Sequence, residues 1–172
     1  MAVTIDIVDQ DVFTALVVFF NTFLPAGTEV VQAQENLVSM PKGGFVVMNN
    51  VSLTRLSTNV DNYQSGEQTK TILTANNYGI QLDFYGPNSQ TWASETQTLF
   101  RDEYATEIFP PNIQPLYADN PMQIPLIDGE DQYEQRWKVV ASLQYNPILS
   151  TSQQSMLGVD IALAPIDQTF NP

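Results

Sequence analysis

The chain contains no histidine and no cysteine, and its six Lys and Arg residues stand against nineteen Asp and Glu, a net charge of −13. Without histidine, the commonest general base and the commonest metal ligand are gone. Without cysteine there is no disulfide scaffold and no thiolate metal site. Ser–His and Cys–His nucleophiles and most zinc or iron chemistries are thereby closed, leaving only carboxylates, Lys, Tyr, Ser and Thr. An enzyme is not expected. Tight nucleic-acid binding needs Lys and Arg to neutralise phosphates, and the same shortage disfavours an anionic membrane surface. Long apolar runs are missing too. The run Val12–Leu24 is interrupted by Thr14, Asn21 and Thr22 and is too short to span a bilayer. The start, Met1–Asp11, carries Asp6, Asp9 and Asp11 without a base, so no secretory signal is expected.

What is present is a pattern of strands and helices. With 172 residues, 43% of them hydrophobic, a single domain over residues 1–172 is expected, burying about 70% of its unfolded surface. Tyr78, Ile80, Leu82 and Phe84 alternate with Gly79, Gln81, Asp83 and Tyr85, the period of a half-buried strand. Gly86-Pro87 ends it, and Asn88 or Ser89 is placed to cap a helix. From Gln90 the spacing of Trp92, Thr96, Leu99, Phe100, Glu103, Tyr104 and Ile108 becomes helical, up to Pro110-Pro111. An earlier helix carries Val12, Leu16, Phe19, Phe20 and Phe23 inward. Asp9 or Asp11 sits at its N-terminus, favoured by the macrodipole, and Phe13, Val17 and Val18 ask for a second covering surface.

Further strands are expected at Thr28–Ala33, at Phe45–Ser57 with a bulge at Asn49-Asn50, at Tyr133–Tyr145, and from Leu157 to Leu163. Thr69–Leu73 and Tyr78–Tyr85 are either one bulged strand or two. Thr58–Glu67 reads as polar turn, and Pro110–Asp131, with five of the eleven prolines, as a long irregular segment that packs or docks. The fold class is α+β: a mainly antiparallel sheet with two helices packed on one face and a long proline-rich irregular segment.

Candidate chemistry is thin. Asp128-Gly129-Glu130-Asp131 and Glu134 form the densest acidic cluster, but their spacing is not that of an EF-hand loop. Asp83, Asp102 and Glu103 are the carboxylates a glycosidase reading would use. Gly43-Gly44 lacks the surroundings of a phosphate loop, and Trp92 and Trp137 sit on apolar faces as core residues. Charge is unevenly placed. Residues 101–135 hold eight acids and one base, whereas 42–73 hold three bases and two acids. Such asymmetry suits head-to-tail contact between copies, although acidic loops alone would also produce it.

Six blocks, TNVDNY (58–63), QLDFYGPNS (81–89), LFRDEYA (99–105), PLYADNP (115–121), DGEDQYEQRW (128–137) and LQYNP (143–147), follow one another in an order that resembles tailed-bacteriophage neck terminator (tail terminator) proteins. The resemblance implies a non-enzymatic virion protein without cofactor or metal, assembled in the host cytoplasm. It implies a ring, usually a hexamer, that ends the tail tube at the head–tail junction. Its partners would be a neck or connector protein above and the tail-tube protein below. DNA would pass through without specific binding, since an acidic wall repels phosphates. Within that picture Tyr117, Asp119, Asn120, Met122, Asp128, Glu130 and Asp131 are the candidate subunit-interface residues. The alternatives are a tail-tube or baseplate subunit, and an acidic Ca²⁺- or carbohydrate-binding module.

Overall fold

The alternating stretch forms β6 (Asn76–Tyr85), in which Tyr78, Ile80, Leu82 and Phe84 are fully buried. The structure is a computed structural model that describes residues 3–34, 41–127 and 133–154. Along the chain, β1 (Val3–Ile5) and α1 (Asp9–Phe23) precede β2 (Glu29–Gln32), β3 (Phe45–Arg55), β4 (Val60–Gln64), β5 (Thr69–Leu73) and β6. Then come α2 (Ser89–Leu99), α3 (Glu103–Ile108), β7 (Ile113–Ala118), β8 (Met122–Gln123) and β9 (Leu126–Ile127). The last elements described are β10 (Tyr133–Glu134), β11 (Arg136–Tyr145) and β12 (Ile148–Ser152). The main sheet has the order β2-β3-β6-β11-β7, with β8 also on β11, and only the β2–β3 pair is parallel. A second, antiparallel sheet runs β1-β12-β5-β4, and β9 pairs with β10.

The helices lie on the face carrying Phe84 and Ile80, so the α+β architecture is as the pattern predicts. Phe19 of α1 is the hub: its ring sits 5.3 Å from Phe100 and 5.6 Å from Phe109, while Phe20 reaches Phe84 at 6.0 Å. The expected second helix is two helices. Phe100 closes α2, and Asp102, in extended conformation, accepts a hydrogen bond from the Tyr104 backbone N–H at 2.9 Å to start α3. A side-chain acceptor there competes with continued helix, and the break lets Phe100 and Phe109 converge on one ring. Neither Asn88 nor Ser89 caps α2 through its side chain. At α1 the Asp11 carboxylate accepts from Val8 N–H at 2.7 Å. Phe13 is buried and Val17 half-buried toward β2, but Val18 remains exposed.

Other expectations need correction. Asn76 and Asn77 belong to β6, and the break falls at Thr74-Ala75, so β5 and β6 are two strands in different sheets. The β3 bulge is at Val51, one residue late, where register shifts between Asn50 and Ser52. Residues 58–67 contain strand β4, exposed throughout, which gave no apolar alternation to read. The described part of the proline-rich stretch, residues 110–127, is interrupted by strand rather than irregular throughout. It holds β7, β8 and β9, with Pro115 on an edge strand, where a missing N–H costs no ladder bond. β1 and β12 pair with each other and had no signal. The strand expected over 157–163 lies outside the described residues.

Three connections link the sheets: β3 to β4, β5 to β6, and β11 to β12. The second sheet is therefore a continuation of the main one, kinked at Thr74-Ala75 and Asn146-Pro147. Asp6 tethers it, accepting from Ile148 N–H at 2.7 Å and from the Asn112 side chain at 2.9 Å.

Two loop glycines are fixed by packing. A Cβ on Gly44 would lie 2.5 Å from the Trp92 ring, and Gly86, at φ +97°, lies against Gly44. Gly44→Ala is expected to cost about 1–3 kcal/mol by overpacking, read as a lower urea midpoint with unchanged m. Two buried tyrosines clamp α1's start to the sheet: Tyr78 donates its hydroxyl to Asp9, and Tyr145 donates to the Ile7 carbonyl at 3.0 Å. Burial, then the Asp9 carboxylate, pushes both phenols up. The unfolded chain ionises its tyrosines near pH 10 while the folded one keeps these protonated. The contribution is therefore whole below about pH 10 and is lost as pH climbs further. With no His or Cys, urea midpoints should be flat between about pH 6 and 9 and fall above about 10. Tyr78→Phe should blunt that fall.

Candidate functional site

The exposed candidate residues gather where β7 turns into β8. β7 pairs with β11 on one side, and its register breaks between Ser142 and Leu143, leaving Leu116 as the extra residue of a bulge beside Pro115. Proline and a bulge both stop an edge from extending its ladder. What this edge offers is side chains. Leu116, Tyr117 and Met122 are 42, 44 and 56% exposed, and Asp119 and Asn120 at the turn are exposed too. The corner is held rigidly. Asp119 N–H donates to the Val140 carbonyl at 2.8 Å, Gln97 of α2 donates to the Asn120 side-chain oxygen at 2.7 Å, and Arg101 donates to the Ala118 carbonyl at 2.9 Å. Of the seven sequence candidates, Tyr117, Asp119, Asn120 and Met122 come together here. Asp128, Glu130 and Asp131 lie outside the described residues. Beside the corner, α3 presents Tyr104, Glu103 and Glu107 to solvent.

A second apolar surface escaped the sequence reading. Val51, Leu53, Leu56 and Val60 are 47–60% exposed, along the outer half of β3 and the turn into β4. Of these residues only Val60 falls in the stretch 58–67 that reads as polar turn; the other three read as ordinary strand. Alternation marks a strand's faces but says nothing of whether a further layer covers them.

The remaining carboxylates are not assembled for chemistry. Asp83 is buried and held by Arg136 through its Nη2 at 3.0 Å and Nε at 3.1 Å, with Gln81 donating at 2.7 Å. Arg136 also lies 5.7 Å over the Tyr85 ring, which stacks on Phe45 at 4.5 Å. Burial pushes the Tyr85 phenol up and Arg136 pulls it back. Asp102 is the cap of α3 and Glu103 beside it is exposed, so two of the three carboxylates of a glycosidase reading already hold separate partners. Among the described residues no group of His, Cys, Asp or Glu is placed to hold a metal ion. No described helix is long and apolar enough to cross a membrane. Trp92 is buried and Trp137 packs partly buried against the core.

Comparison with known proteins gives two findings. The family model described as "phage neck terminator protein" matches residues 10–170. Among solved structures, the fold is similar to the sheath/tube terminator of an extracellular contractile injection system (PVC) in its extended state. The TM-score is 0.52 at 10% identity, over 95% of this chain. The chain spans 65% of the length of that neighbour. No curated protein matches.

Proposed function

The chain belongs to the phage neck terminator family, and we propose that it forms a ring, a hexamer, that closes the tail tube and joins it to the neck. It is a structural, tail-terminating protein of the virion's tail and neck region. In this reading residues 1–172 act as one terminator domain. The neck or connector protein lies above, the tail-tube protein lies below, and DNA threads the opening. Assembly takes place in the host cytoplasm before the tail meets the head.

The observation that carries the reading is the family match across residues 10–170, and two features of the surface support it. First, the β7–β8 corner holds three large apolar side chains rigidly in solvent, an arrangement that a partner would cover. We place the subunit contact there, with Asp128, Glu130 and Asp131 following it in sequence. Second, three of the six bases are committed: Arg136 to Asp83, Lys70 to Asp61 at 2.7 Å, and Arg101 to the Ala118 carbonyl. A chain of charge −13 with so few free cations cannot condense onto phosphates, so the genome slides past.

Imaging of intact particles with this subunit labelled should place a ring at the head-proximal end of the tail. Tails assembled without the protein should vary in length and fail to join heads. A label at the distal tip, or purified protein that polymerises into open tubes, would make it a baseplate or tube subunit instead. A melt that rises in saturating Ca²⁺, by roughly 2.7 kcal/mol at about a hundredfold excess over the dissociation constant, would favour the ion-binding module.

A further inference from the structure

We propose that the outer half of β3, with Leu53 and Arg55 at its centre, receives the β7–β8 corner of the neighbouring copy; this rests on the ring reading above. β3 has two unlike halves. Phe45–Met48 is flanked by β2, whereas Asn50–Arg55 is paired only to β6 among the described residues. Along that second half Leu53 and Arg55 share the face of Tyr78 and Asn76, and the exposed Leu56 and Val60 follow them into β4. Arg55 is exposed, its Nε–H donates to the Ser57 carbonyl at 2.9 Å, and among the described residues no carboxylate pairs with it.

The corner at the other side of the sheet has the complementary character. Leu116, Tyr117 and Met122 are exposed there with Asp119 at the turn and the exposed Asp102 and Glu103 at the start of α3. Of the two bases at this end, Arg101 is bonded to the chain's own Ala118 and Lys138 stands opposite Met122 on β11. In the order β2-β3-β6-β11-β7 the two surfaces lie on opposite edges, three strand spacings or about 14 Å apart. Unlike surfaces on opposite edges cannot pair with themselves across a two-fold axis. They join head to tail, and a rotation per step that divides the full turn closes them into a ring. Because Pro115 and the Leu116 bulge spoil β7 for ladder formation, the joint is a side-chain contact with Arg55 set against Asp119.

The natural absence of cysteine makes the test clean. Leu53→Cys and Leu116→Cys in one chain stand on opposite edges, beyond the roughly 7 Å Cα separation a disulfide tolerates, so they cannot bond within a copy. Oxidation of the double variant should give a ladder of covalent multimers. Each single variant should stay uncrosslinked, and a mixture of the two should stop at dimers. Arg55→Glu and Asp119→Arg should each weaken assembly about tenfold or more, as like charges meet, and together should restore it. All four positions are exposed, so thermal melts should be unchanged. Rings seen by native mass spectrometry with no 53–116 bond, or Leu53→Cys chains that bond to one another, would overturn this pairing and leave the ring standing. Wild-type protein that forms no ring, either free or on tail tubes, would overturn the ring and the pairing together.

Discussion

The structure depends on β6 being hydrogen-bonded along its whole length on both edges, to β3 on one side and β11 on the other. A strand in that position has no tolerance for a slip, because a shift of one residue would carry Tyr78, Ile80, Leu82 and Phe84 to the other face. Its helix-facing side fixes where Phe20 and Trp92 rest, and through Phe19 the positions of α2 and α3. Its other side buries Asp83, and a buried carboxylate must be matched. Arg136, across the ladder on β11, matches it and is itself pressed on Tyr85. Gly79 belongs to the same constraint: a Cβ there would lie 2.2 Å from the Ser52 hydroxyl oxygen, so the bulged β3 can run close beside β6 only at a glycine.

This also explains what was legible from sequence. Where burial is one-sided, the period of apolar residues is the structure, and α1, β6 and β11 could be read with their inward faces. The reading failed where some other force decided. At Asp102 a carboxylate capturing its own backbone ended one helix and started another, though the helical spacing of apolar residues continued across the break. In the proline-rich stretch, edge position removed the penalty that makes proline a strand breaker. β1, β4 and β12 sit in a sheet whose strands are exposed or half-exposed on both faces, so no alternation was imposed on them. Tyr117, Asp119, Asn120 and Met122 were legible as neighbours along the chain, and the fold leaves the four together at the exposed β7–β8 corner or at its rim. The β3 surface was not legible, because exposure of an apolar strand is a property of the layers around it.

The second sheet differs from the first in kind. In one, helices cover a face and stability follows from buried area. In the other, β5 and β12 continue the ladder begun by β6 and β11, and among the described residues no layer shields either face. A few exposed strands are marginal alone, so its order is borrowed from the main sheet and from the Asp6 tether to Ile148 and Asn112. An arm of this kind transmits position well: its base is fixed by the most buried strands of the molecule, while its surface is free to meet something else.

Charge and exposed apolar surface then divide the work of assembly between two distances. Free copies at −13 repel one another, which offsets the tendency of exposed Leu53, Leu116 and Met122 to associate at random. That repulsion is screened beyond about 8 Å at physiological salt, so it is felt only as two copies close on each other. At contact, apolar area and local charge decide. In the proposed joint the few uncommitted bases would matter more than the total, because Arg55 on one sheet edge would meet Asp119 of the next copy while most other orientations would bring acid against acid. In the ring proposed above, a surplus of acid would hold copies apart until they dock, and the rarity of cations would make the joint selective.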